Sequence, residues 1–96
     1  MQQTERKPLF NLGQLVATPG ALAALGKVGQ TPLEFLARHV RGDWGELGEE
    51  DRKENELSLQ EGYRLLSSYL ATDDTVFWII TEADRSVTTI LLPLDY

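Results

Sequence analysis

The period of apolar and polar positions changes along this chain, from helix-like in the first half to strand-like in the second. The last third is the plainest. Val76-Phe-Trp-Ile-Ile80 and Val87-Thr-Thr-Ile-Leu-Leu92 are β-branched and aromatic runs separated by the polar turn Glu82-Ala-Asp-Arg-Ser86, the pattern of an antiparallel hairpin. The inner run is apolar at every position, so it is expected to be a central strand covered on both sides. Upstream, Tyr63, Leu65, Ser67 and Tyr69 alternate with Leu66 and Leu70. Gly62 before this stretch and Thr72-Asp-Asp-Thr75 after it favour a strand over a helix. The expectation is a meander of strands over 63–70, 76–82 and 87–92, with 12–17 as a fourth strand. Pro93 closes the last run, which fits an edge position.

In the first half, Thr18-Pro19 and Thr31-Pro32 each place a hydroxyl at a helix N-cap and a proline at the first helical position, where its missing N–H costs nothing. Glu34 completes a capping box with Thr31. The first helix should run from Pro19 to about Val28 and stop at Gly29; the second should run from Pro32 to about Arg41 and stop at Gly42. Leu33, Leu36, Ala37 and Val40 give the second helix one apolar face. The loop Gly42-Asp-Trp-Gly-Glu-Leu-Gly48 holds two large apolar residues, of which Trp44 or Leu47 should plug the core. A third helix, Glu49 to Gln60, has carboxylates in its first turn, where the helix dipole favours them. Its apolar content is thin, so packing along a narrow seam must hold it. The fold class is therefore α+β: a three- or four-stranded antiparallel sheet, with a helical hairpin and an acidic helix packed on one face. Residues 1–10 read as a flexible N-terminus and 11–96 as one domain.

Charge changes this picture more than composition does. The chain has 96 residues and a net charge of −6. Between Asp43 and Glu61 eight carboxylates (Asp43, Glu46, Glu49, Glu50, Asp51, Glu54, Glu56, Glu61) face only Arg52 and Lys53, so this segment alone accounts for the whole excess. The remaining acids and bases cancel. Cysteine is absent, which excludes disulfides and thiolate metal sites and points to a reducing cytoplasm. No apolar stretch is long enough to span a membrane, and the polar N-terminus gives no expectation of a secretory leader.

Chemistry-bearing sets are sparse. His39 is the only histidine; with no nucleophile elbow around Ser67, Ser68 or Ser86, it reads as a helix-surface residue. Glu82 and Asp84, at a strand end, form a weak candidate for a divalent cation, although Asp84 as a turn cap and Arg85 as the partner of a neighbouring acid explain the motif more simply. Zinc, phosphate-loop and dinucleotide signatures are missing, and no cofactor is expected. The acidic face disfavours direct nucleic-acid binding, which needs clustered lysine and arginine.

Two segments, Phe35-Leu-Ala-Arg-His-Val-Arg-Gly-Asp-Trp-Gly-Glu-Leu-Gly-Glu-Glu-Asp51 and Trp78-Ile-Ile-Thr-Glu-Ala-Asp-Arg-Ser-Val-Thr-Thr-Ile-Leu-Leu-Pro93, together with Asn55 and Arg64 to Tyr69, resemble a family of small bacterial proteins carried on plasmids and other mobile elements. The resemblance brings no catalytic site; it implies proteins that act by binding host machinery, including restriction and CRISPR nucleases. The functional expectation is a non-enzymatic module that meets a basic protein partner, such as a nucleic-acid-binding host protein, through Asp43, Glu46, Glu49, Glu50, Asp51 and Glu54, with Trp44 as apolar anchor. Inhibition of a defence nuclease, of the anti-CRISPR or anti-restriction type, is one concrete form. The alternatives are a small metal-dependent hydrolase or nuclease using Glu82 and Asp84, and a homo-oligomeric structural or regulatory protein paired through a sheet edge or the Tyr63/Tyr69 face.

Overall fold

The computed structural model describes residues 7–96. Strand β1 (Gln14–Ala17) leads into helices α1 (Pro19–Val28), α2 (Pro32–Val40) and α3 (Glu49–Glu61), followed by strands β2 (Leu65–Leu70), β3 (Val76–Thr81) and β4 (Val87–Leu91) and a C-terminal 3-10 turn (Pro93–Asp95). The α+β class and the C-terminal meander are as expected, but the sheet is mixed. Its order is β1-β4-β3-β2, with β1 parallel to β4 and the other neighbours antiparallel. Local turn signals specify hairpins, whereas a parallel pair joins segments far apart in sequence and leaves no such mark. This pairing also places β4 inside the sheet, so Pro93 marks a chain turn beyond an interior strand and not an edge.

Alternation along the strands divides the sheet into two faces. On the inner face Tyr69, Phe77, Ile79 and Ile90 pack against Ala21 and Leu25 of α1 and Phe35 and Leu36 of α2. Phe35 lies between aromatic neighbours, with ring centroids 5.5 Å from Tyr69 and 6.0 Å from Phe77. On the outer face Ile80 and Leu91 are buried, and Tyr96 meets the edge of Trp78 at 5.9 Å. β3 is thus covered on both sides, as its unbroken apolar run requires.

Both proline-initiated helices form, by different means. Thr18 Oγ1 accepts the Ala21 N–H at 3.1 Å and donates to the Asp95 carboxylate at 2.6 Å, which ties the start of α1 to the C-terminal turn. Thr31 makes no side-chain capping bond, so the expected capping box is absent. Glu34 accepts from the Gln30 side-chain amide instead. Of the N-terminal segment expected to be flexible, residues 1–6 lie outside the described residues. Leu9 donates to the Val40 carbonyl at 2.8 Å and Phe10 packs on His39 and Trp44, so the folded unit includes both.

Candidate docking surface

Helix α3 carries the acidic segment, and polar bonds fix it to the body. Its buried residues are Asn55 and Ser58, while Leu57 is exposed and Leu59 only half-buried, so the expected apolar seam is replaced by a polar one. Asn55 Nδ2 donates to the Leu66 carbonyl at 2.6 Å and Asn55 Oδ1 accepts the Leu66 N–H at 3.1 Å. α3 therefore lies along the free edge of β2, where the amide stands in for a missing strand. The α2–α3 loop closes the next position. Ser68 donates to the Trp44 carbonyl and accepts from the Glu46 N–H at 2.6 Å, a short parallel bridge centred on Gly45. Gly45 has φ +75°, and a Cβ there would stand 2.0 Å from the Ser68 carbonyl oxygen, so only glycine fits.

At the other end of α3, Arg85 clamps the helix C-terminus to the β3–β4 turn. Its guanidinium donates to the carbonyls of Tyr63 at 2.7 Å and Ser58 at 3.1 Å, and also to those of Glu82 and Ala83. A cation beside these outward carbonyls suits the negative end of the helix dipole. Arg85 thus serves carbonyls and not the neighbouring acid expected from sequence. It holds φ +61° and lies 5.7 Å over the Phe10 ring.

Two of the proposed partner-binding residues are engaged within the chain, Trp44 by burial and Asp43, which stays exposed, by an ion pair. Trp44 is 2 % exposed and donates from Nε1 to Glu56 at 3.1 Å, so it is a core plug and not an accessible anchor. Asp43 receives the Arg38 guanidinium through two bonds, at 2.7 and 3.3 Å, and accepts the Gly45 N–H. That pairing holds the Asp43 carboxyl below the usual carboxylate range and raises Arg38. Glu46, Glu49, Glu50, Asp51 and Glu54 are all exposed. At 3.6 residues per turn Glu50, Glu54 and Glu61 form one file, spanning about 16 Å, and Glu49 and Glu56 form a second. Arg52 bends back to the carbonyls of Leu47 and Gly45. Beside the first file, a groove of about 380 Å³ runs between α3 and β2, lined by Leu47, Asp51, Glu54, Tyr63, Arg64 and Leu66. Arg64 within it is held by Glu82 at 3.2 Å and by the Tyr96 hydroxyl at 3.1 Å.

His39 is not on the helix surface. It is fully buried beneath Phe10 and Trp44. Its ring sits in a chain of hydroxyls whose donors have one consistent assignment. Thr88 donates to the Leu12 carbonyl at 2.7 Å, so Thr81 donates to Thr88 at 2.7 Å, and His39 Nε2–H donates to Thr81 at 2.9 Å. Nδ1 then accepts the Ser67 hydroxyl. Burial, reinforced by the Arg85 charge, pushes His39 down to about 3 and keeps it neutral. Ser67 and His39 resemble a nucleophile–base pair only in their contact. Both are 0 % exposed, and a substrate has no access to either. Glu82 and Asp84 do not converge: Glu82 pairs with Arg64 and Asp84 accepts the Ser86 N–H at 3.0 Å within its own turn. Among the described residues no three histidines or carboxylates gather as a cation site, and no helix is long and apolar enough to cross a membrane.

Comparisons with protein-family models, with curated proteins and with solved structures find no match.

Proposed function

We propose that this protein is a binding module that meets a basic protein partner through the outward files of α3 and the groove beside them. The observation that carries this reading is the pairing of charge with fixation. Glu46, Glu49, Glu50, Asp51 and Glu54 are exposed on a loop and helix whose register is set by Asn55, Arg52 and Arg85. Carboxylates held along a rod approach a cationic cleft with little ordering left to do, which favours association and fixes register. Tyr63 and Leu66 lie next to Asp51 and Glu54 in the groove, a setting for a lysine or arginine whose aliphatic stem rests on apolar surface while its head meets carboxylate. Proteins that hold nucleic acid present such cationic clefts, so inhibition of a defence nuclease by occupation of its nucleic-acid groove is the concrete form of this function. The resemblance to small proteins of mobile elements supports the same form.

The test is capture of partners from host lysate by the native chain and by the Glu49→Lys, Glu50→Lys, Glu54→Lys variant. A specific partner is expected to be retained at low salt, to elute as ionic strength rises, and to be lost from the variant. Retention of every partner by the variant overturns the reading.

A further inference from the structure

The two edges of the sheet are finished differently. At β2, Asn55 takes both backbone groups of Leu66, and Trp44 and Glu46 take those of Ser68. At the opposite edge β1 has β4 as its one strand neighbour among the described residues. The Gln14 N–H donates to Ser86 and the Thr18 N–H to Ile90, so alternation turns the backbone groups of Leu15 and Ala17 away from β4. β1 carries none of the lysine, proline or inward charge with which open edges are protected. Instead Leu15 is 49 %, Val16 40 % and, on neighbouring α2, Leu33 67 % exposed. These three join Ala17, Pro32 and Leu36 around a shallow groove of about 240 Å³ whose lining holds no charged residue.

We propose that this edge pairs with β1 of a second copy, antiparallel about a two-fold axis at Val16, to make one continuous sheet. In that register Leu15 faces Ala17 of the second copy, and the outward N–H and C=O groups of both residues are satisfied on both sides. Leu15 and Leu33 of each copy then cover the apolar groove. Charge selects this occupant. The excess of −6 lies wholly within Asp43–Glu61, and the α3 part of that segment flanks the far edge, at β2. Three interstrand steps, about 14 Å, separate the two edges and exceed a Debye length of about 8 Å. Two anionic chains therefore meet at β1 with their acidic helices remote and with no charge in the groove lining, while the carboxylates that would attract a basic partner are concentrated on α3. The pairing does not depend on the role proposed for α3 and leaves both acidic surfaces outward.

Sedimentation velocity of the full chain, from micromolar to near-millimolar concentration, tests this. The expected result is a mass rising from 10.8 kDa towards twice that value, insensitive to salt. Leu15→Lys and Leu33→Lys alter exposed side chains, so each should keep the wild-type circular dichroism and remain at the monomer mass. The Glu49→Lys, Glu50→Lys, Glu54→Lys variant should associate at least as well as wild type, which separates this interface from α3. A wild-type chain that stays monomeric throughout, or edge variants that both still double in mass, overturn the proposal.

Discussion

Asn55 and Leu66 exchange two hydrogen bonds, side-chain amide to backbone, and through them an acidic helix is fastened to the edge of a sheet. The helix has too little apolar surface to hold itself by burial, so this amide carries much of the attachment. Asn55→Ala leaves the Leu66 N–H and C=O without partners in a part-buried position. It is expected to cost roughly 2 kcal/mol, against less than about 0.5 kcal/mol for exposed Glu54→Ala. Urea denaturation of the two variants measures the difference; equal midpoints contradict it.

The two Thr-Pro helix starts separate in the same assay. Thr18 caps α1 and also donates to Asp95, so Thr18→Ala should lose about 1 kcal/mol or somewhat more. Thr31 has no capping bond to lose, and Thr31→Ala should stay within about 0.5 kcal/mol of wild type.

His39 gives the fold a defined acid limit. The folded ring is neutral down to about pH 3, whereas the unfolded chain takes up its proton below about 6.5. The unfolded state therefore binds more protons between these values. Stability should be unaffected by this group above pH 6.5 and fall at up to about 1.4 kcal/mol per pH unit as pH drops towards 3. Because the chain has one histidine, its ring resonances report the titration without overlap. A folded-state midpoint near 6.5 would contradict the buried, neutral assignment.

Gly45 is the point where the loop can cross β2. Gly45→Ala combines a left-handed backbone with a methyl group driven into the Ser68 carbonyl and the Tyr69 ring. A loss of more than about 2 kcal/mol is expected, against about 1 kcal/mol or less at exposed Gly48, where a Cβ meets nothing. Thermal melts of the two alanine variants decide it.

What was legible in the sequence was local. The β3–β4 hairpin, the two proline-led helices and the acidic helix each follow from residues within a few positions of one another. The parallel β1–β4 pair, the edge amide of Asn55 and the hydroxyl chain under His39 join residues distant in sequence, and no periodicity encodes them. Trp44 shows the same limit at the candidate site. A tryptophan in a glycine loop fits an anchor or a plug equally well, and only the position of Glu56 just past the middle of α3, with Phe10 above the ring, decides for the plug. At Arg85 a cation placed after a turn acid suggests a salt bridge, yet the carbonyls at the end of α3 hold it.

Docking through α3 depends on where the charge sits and not on its total, so the most direct measurement compares two variants of equal net charge. Glu50→Gln, Asp51→Asn, Glu54→Gln on α3 and Leu22→Lys, Ala23→Lys, Gly26→Lys on the exposed side of α1 each raise the net charge by the same three units from −6. Quantitative partner capture from host lysate should be abolished by the first set and preserved by the second. Equal losses from both sets, or no loss from the α3 set, would contradict the assignment of this helix as the docking surface.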